Sequence, residues 1–160
     1  MKQVVQSIGD GSLRVVEVPA PSHGAAEVLV STTRSLLSTG TERAVRELAS
    51  ASLLEKARAR PDLVRQGVKK ARAEGIRQTV RSVRTRLDED MPLGYSAAGV
   101  VLEVGESVEG LSTGMRVATA SAGHAEMQVV PGLLAIPIPD NVSDESAAFG
   151  AVAAIALQGL

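Results

Sequence analysis

The glycine-punctuated stretch from Gly94 to Val117 constrains the fold more than any other part of the sequence. Its small residues at Ala97 to Gly99 let another backbone or a ligand come close, and the β-branched residues Val100 and Val101 that follow suit a buried strand. Further glycines can supply turns, at Gly105, Gly110 and Gly114. The stretch therefore predicts a strand, a tight turn and a second strand.

Other segments also carry strand signals. Valine-rich segments at 2–7 and 12–18 are separated by Gly9-Asp10-Gly11-Ser12, a composition typical of a hairpin turn. A further strand is expected at 27–33, and short ones punctuated by prolines at 115–120, 124–130 and 133–138. The fold class expected is mainly β (α+β).

The hydrophobic period changes to the helical value between residues 43 and 88. Two to four helices are predicted there, as an insertion into the β domain. This insertion has 13 Arg or Lys against 5 Asp or Glu, a net charge of +8, while the remainder carries −9. The sequence therefore predicts a basic helical lobe on an otherwise acidic domain.

Three arginines, Arg77, Arg81 and Arg84, fall on one face of a predicted helix. Like charges at this spacing cost a few tenths of a kcal/mol each unless something negative lies nearby. One interpretation is a solvated face relieved by the chain's own acidic residues or by a partner domain. The other is a binding face for an anionic substrate such as a sugar nucleotide.

The C-terminal segment 143–160 predicts a linker helix. Ser143 suits the N-cap, and Asp144 and Glu145 lie where the helix dipole favours negative charge. As far as Leu157 the helix has almost no polar face, so we expect other parts of the protein to cover it on every side.

Composition excludes several classes of protein. A chain of 160 residues with 44% apolar residues and a net charge of −1 suits one soluble domain. It has no cysteine, which excludes disulfides, thiol catalysis and cysteine-ligated metals. No signal peptide or membrane span is evident, so a cytoplasmic location and no membrane partner are expected. Only two aromatic residues are present, which disfavours a nucleic-acid stacking surface.

The central stretch has the pattern G-x-x-x-A-G-x-V-x-x-V-G-x-x-V-x-x-L-x-x-G-x-R-V. Upstream lies P-x-P-x-x-G-x-x-E-V-L-V from Pro19, and downstream H-A-E-M-Q-V-V-P from His124 and then I-P-D from Ile138. Together these motifs resemble the GroES-like, substrate-side domain of the medium-chain dehydrogenases/reductases, over most of residues 1–42 and 92–160. The resemblance implies a partly open β-barrel domain over 1–160, carrying the insertion and the linker helix.

This resemblance also implies a cofactor and its location. In the family, the linker helix leads into a dinucleotide-binding domain that holds NAD(P)H. The chain ends at Leu160 without the corresponding glycine-rich turn, so it is expected to bind no cofactor and to be inactive alone. The family's zinc ligands would stand at Thr39, Tyr95 and Ser96, none of which is a usual zinc ligand. The zinc-independent branch, with no metal site, is therefore expected.

Without a metal, hydrogen bonds must polarise a substrate oxygen. Tyr95 is the candidate donor, with Ser38 and Thr39 as catalytic hydroxyls, and Thr41, Glu42 and Ser96 as substrate-binding residues. Tyr95 could instead be a packing residue. Glu42 could be no more than the first charge of the next helix. His23 is expected in an exposed turn, and His124 at the rim or in the core.

A finer resemblance concerns the segment Gly40-Thr41-Glu42, the insertion and Pro92-Leu93-Gly94-Tyr95. It is similar to bidomain oxidoreductases of polysaccharide biosynthesis, which implies a sugar or sugar-nucleotide substrate. An oxidoreductase domain that meets its own dinucleotide-binding domain and forms a homo-oligomer is therefore expected. The competing interpretation is a non-catalytic binding or oligomerisation module that uses the basic insertion. A nucleic-acid binder is disfavoured by the acidic remainder.

Overall fold

The computed structural model describes residues 1–8, 10–38, 90–121 and 123–159, and the single residues 40, 61, 65, 69, 75 and 78. Contacts divide the chain into two compact units. The first comprises Met1–Val4, Val15–Ser38 and Pro92–Leu160, and the second comprises Val5–Arg14 and Thr39–Met91. The candidate site described below lies in the first unit.

Eight strands form two sheets in the described residues. The strands are β1 (Lys2–Ser7), β2 (Leu13–Glu17), β3 (Glu27–Ser35), β4 (Asp90–Pro92), β5 (Ser96–Val104), β6 (Arg116–Ala120), β7 (Met127–Pro131) and β8 (Ala135–Pro137). One sheet has the order β2-β1-β4, and the other has the order β7-β3-β5-β6-β8. The larger sheet is antiparallel throughout. The prediction of a mainly β fold is confirmed, and this sheet is open rather than closed into a barrel.

Strand β5 is buried on both faces, which explains its small residues. On one face, Ala97 and Val101 belong to a cluster of buried aliphatic side chains with Val28, Val30, Val117, Val130 and Ala135. On the other face, Ala98 packs with Ile138, Ala147 and Ala148. Its small residues Ala97, Ala98 and Gly99 let this central strand lie close to its neighbours between the two layers.

The turn predicted between the first two strands is confirmed. The Ser7 N–H donates to the Ser12 carbonyl at 2.9 Å, and Gly11 has φ 73°, which glycine adopts without strain. Within the same unit, the Gln6 amide donates to the Gly11 carbonyl at 3.1 Å, and Arg14 forms an ion pair with Asp90. These contacts fix the hairpin end of the second unit.

The second strand predicted inside the central stretch is wrong. Residues 105–115 form a loop, and β5 pairs instead with β6. The reason is that Gly110 and Gly114 have φ values of 75° and 88°, which interrupt an extended strand. Similarly, residues 133–134 belong to a 3₁₀ helix (Gly132–Leu134) rather than to the predicted strand 133–138.

The single predicted linker helix is two helices, α1 (Asp144–Ala147) and α2 (Gly150–Gln158). Between them, ψ rises to −18° at Ala148 and −1° at Phe149, which tightens the backbone out of the regular α-helix. The predicted N-cap is confirmed, because the Ser146 N–H donates to the Ser143 hydroxyl at 3.2 Å. Helix α2 has no buried residue, and Ile155 and Leu157 are largely exposed.

Most of the predicted helical insertion lies outside the described residues. Of the single residues described there, Pro61, Arg65, Lys69 and Gln78 are helical, and Gly75 has φ 93°. In the part of the chain that the structure describes, no helix has the length and apolar character needed to cross a membrane.

Candidate functional site

One end of the five-stranded sheet gathers the segments expected to carry function. Because the sheet is antiparallel, the end of β3 and the start of β5 lie side by side, with Ser35 opposite Ala97. Beyond them, the Leu36 N–H donates to the Ser96 carbonyl at 2.9 Å. The loop that carries Ser38 therefore leaves the sheet beside Ser96.

The end of β6 reaches the same place. The Ser121 N–H donates to the Tyr95 carbonyl at 2.9 Å, and Ser121 has φ 63°, a left-handed conformation uncommon for a residue with a side chain. Such backbone strain persists only where the surrounding structure enforces it. Tyr95 is half-buried, and this hydrogen bond holds its carbonyl against the turn that follows β6.

Ser96 is placed differently from Tyr95. Its side chain is buried, its hydroxyl donates to the Ala148 carbonyl at 2.6 Å, and the Ala151 N–H donates to that hydroxyl at 3.4 Å. Ser96 therefore ties β5 to the junction of α1 and α2. Its expected contact with substrate stays a prediction.

The other predicted site residues divide into two groups. Ser38 is half-buried in the loop after β3. The remaining ones lie outside the described residues, so their roles stay predictions: Thr39, Thr41, Glu42, Arg77, Arg81 and Arg84.

A histidine and serine pair at this end of the sheet was not predicted. His124 Nδ1 lies 2.9 Å from Ser35 Oγ, although the two residues are 89 positions apart in sequence. Both line an open cleft of about 390 Å³. No local sequence motif could predict this contact. It depends on the pairing of β3 with β7, which places Thr32 beside Glu126 and so brings the two distant segments together.

A second polar cluster holds α1 against the sheet. Asp144 accepts hydrogen bonds from the Thr33 hydroxyl at 2.6 Å and from Arg116 at 2.9 and 2.6 Å. The hydrogen bond from Thr33 and the Arg116 guanidinium hold the pKa of the Asp144 carboxyl below its usual value. The next residue, Glu145, accepts from Arg34 at 2.8 Å. Since these contacts are all within the fold, we assign the cluster to stability.

Replacing Asp144 with asparagine is expected to lower the free energy of unfolding by about 2 kcal/mol near neutral pH, since hydrogen bonds to a charged group are lost. Because the pKa of Asp144 is lowered in the folded protein, its carboxylate stabilises the fold at pH values above the ordinary carboxyl pKa. This contribution is lost as the pH falls through the pKa of the folded state. The difference between wild type and D144N in urea unfolding should therefore shrink in acid. E109Q, at an exposed position, should change stability by at most about 0.5 kcal/mol. A difference that grows in acid would contradict this assignment.

Neither a dinucleotide turn nor a metal site is found in the described ranges. Dinucleotide phosphates are held where a parallel strand turns through glycines into a helix, whereas the larger sheet here is antiparallel. No group of three or more His, Cys, Asp or Glu residues in the described ranges could hold a metal ion. In the described ranges, the larger sheet therefore has no turn of the kind that holds dinucleotide phosphates.

The sequence matches no protein-family model and no curated protein. Solved structures do match. A zinc-binding dehydrogenase from Clostridium scindens is 18% identical over 99% of this chain and 46% of its own, with a TM-score of 0.67. The Coxiella burnetii quinone oxidoreductase is 19% identical over 99% of this chain and 44% of its own, with a TM-score of 0.64. The chain shares its fold with part of these oxidoreductases.

The Escherichia coli quinone oxidoreductase, solved in complex with NADPH, shows the same likeness. It is 18% identical over 92% of this chain and 36% of its own, with a TM-score of 0.60. The chain thus spans less than half the length of each of these three structures. At such low identity the likeness establishes the fold alone.

Proposed function

We propose that these residues form the substrate domain of a zinc-independent, NAD(P)H-dependent oxidoreductase of the medium-chain dehydrogenase/reductase superfamily. The observation that carries the oxidoreductase assignment is the fold likeness, which covers nearly the whole chain and relates it to oxidoreductases, one of them solved with NADPH. Zinc independence is supported by the sequence alone, since Thr39, Tyr95 and Ser96 stand where the resemblance places the zinc ligands. The assembly of Tyr95 and the Ser38 loop at one end of the sheet supports it.

In this proposal, the chain's own residues bind and orient the substrate. Tyr95 donates a hydrogen bond to the substrate oxygen, and the hydroxyls after β3 orient the substrate. Nicotinamide, which accepts or donates a hydride, is held by a separate dinucleotide-binding domain. The exposed apolar side chains of α2, Ile155 and Leu157, fit a surface that such a domain would cover.

The test is to measure, by absorbance, whether the native gene product oxidises NADH or NADPH in the presence of each member of a panel of quinones, ketones and enones. We expect turnover with at least one pair, unchanged by a zinc chelator, and no turnover by the 160-residue chain alone. Turnover lost on chelation would overturn zinc independence. Absence of oxidation with every pair would overturn the oxidoreductase assignment.

A second candidate, an assembly module without catalysis, is favoured by the exposure of α2, in which Ile155 is 67% and Leu157 is 70% exposed. Apolar surface of this kind marks interfaces as well as domain contacts. The module predicts self-association of the chain in sedimentation and no oxidation by the native gene product. The sugar-related substrate, the polysaccharide pathway and the cytoplasmic location remain predictions.

A further inference from the structure

The break between α1 and α2 lies at Ala148 and Phe149. Before it, the Ala148 N–H donates to the Asp144 carbonyl at 2.9 Å, with the regular helical spacing of four residues. After it, the Ala153 N–H donates to the Phe149 carbonyl at 2.9 Å with the same spacing. In a continuous helix the Ala148 carbonyl would accept from the Val152 N–H, four residues on. This carbonyl is thus an acceptor through which the two helices would join.

The Ala148 carbonyl has a different partner here, the hydroxyl of Ser96 at the start of β5. Ser96 Oγ lies 2.6 Å from the Ala148 oxygen, within the range of good O–H···O hydrogen bonds. The same hydroxyl accepts from the Ala151 N–H at 3.4 Å, a longer and weaker contact. One side chain from the sheet therefore takes an acceptor from the break and a donor from the first turn of α2.

Burial gives this contact its weight. Ser96 is 1% exposed and Ala148 is 3% exposed, so bulk water has little access to either group. A buried carbonyl without a partner is costly, and it takes the nearest donor that the backbone can bring to it. Without the hydroxyl, the Val152 N–H is that donor. It is reached when ψ at Ala148 and Phe149 moves from −18° and −1° toward about −42°, the helical value.

The packing beneath the break suits a small side chain that carries a hydroxyl. Ala147 and Ala148 pack against Ala98 of β5, which brings the helices close to the strand. A serine side chain reaches the helix backbone directly at this separation. Its hydroxyl donates and accepts at the same time, which neither a carboxylate nor an ammonium group can do.

We propose that Ser96 is a positioning residue that sets the break between α1 and α2, and with it the direction of α2. By holding the Ala148 carbonyl, its hydroxyl keeps the Val152 N–H from joining the two helices into one. Because Ser96 directly follows Tyr95, the segment that carries the candidate proton donor also fixes the linker helix. This inference goes beyond the proposed function and does not depend on it.

The experiment is hydrogen exchange of the native gene product, with fragmentation that resolves single backbone amides. In the wild type we expect the Val152 amide to exchange at least about tenfold faster than the Ala153 amide, because Ser96 holds its helical acceptor. In S96A the Val152 amide should become about tenfold slower, because it gains the Ala148 carbonyl. A residue that only stabilised the fold would give faster exchange when removed, so the direction of the change identifies the positioning role.

T119V is the matched control for S96A. It also removes a buried hydroxyl, which donates to the Ala97 carbonyl of β5 at 3.3 Å and makes no contact with the helices. Exchange at Val152 should be the same in T119V as in the wild type, and the amides of β3 report whether each variant is folded. Three results would each overturn the proposal: equal exchange at Val152 and Ala153 in the wild type, unchanged or faster exchange at Val152 in folded S96A, and slower exchange there in T119V. The wild-type comparison decides the matter even if S96A does not fold.

Discussion

Replacing Gly99 with alanine is expected to destabilise the protein by about 3 kcal/mol, the upper range for overpacking a close-packed interior. An alanine Cβ at this position would lie 2.2 Å from the Ser31 carbonyl oxygen and 2.6 Å from Val30 Cγ1. Contacts this short are not tolerated, and one of them is to the backbone of the paired strand β3. The methyl group can therefore be accommodated only if β3 and β5 move apart.

Urea unfolding of G99A against wild type measures this loss. G159A is the matched control, because its added Cβ would meet nothing nearer than the Ala156 oxygen at 3.6 Å. We expect that control to remain within about 0.5 kcal/mol of wild type. If G99A is as stable as G159A, the close approach of β5 to β3 is refuted.

Replacing Tyr95 with phenylalanine is expected to lower the turnover of the native gene product about 100-fold, the lower end of what a positioned proton donor contributes. The ring and its packing are kept, and only the hydroxyl is removed. The backbone hydrogen bond from Ser121 to the Tyr95 carbonyl is also kept. This substitution therefore separates the catalytic interpretation of Tyr95 from the packing interpretation.

The measurement is kcat and KM of Y95F with the best carbonyl substrate, with the free energy of unfolding determined in parallel. Loss of kcat at unchanged stability supports the donor role. Unchanged kcat would show that Tyr95 is a packing residue, and the proton donor would then have to be sought elsewhere in the site.

Local signals predicted most of the strands. The turn before β2 and the Ser143 cap are explained by contacts within or next to their own segment. The small residues of β5, in contrast, pack against side chains from distant segments. The wrong predictions also came from reading each segment by itself. The loop at 105–115 contains Val108, a residue type common in strands, but the left-handed backbone at Gly110 and Gly114 interrupts an extended strand there. Strand β4, only three residues long and ending in proline, gave no periodic signal.

The candidate site was less accessible to sequence reasoning. Tyr95 and Ser38 were selected through a family resemblance, and hydrogen bonds beside Ser96 place their two segments side by side. The pairing of His124 with Ser35 and of Asp144 with Arg116 depends on strand order, which no single segment encodes. Asp144 was expected only to complement a helix dipole, whereas it also accepts from two strands.

Backbone hydrogen bonds between loops also close the end of the five-stranded sheet that lies opposite the candidate site. There, the carbonyls of Ala25, Ala26 and Glu27 accept from the N–H groups of Ser107, Gly132 and Gly105, and a Cβ on Gly105 would lie 2.3 Å from the Ala25 oxygen. Insertions there would break several of these backbone contacts at once. A change of loop length at this end of the domain is therefore expected to destabilise the fold.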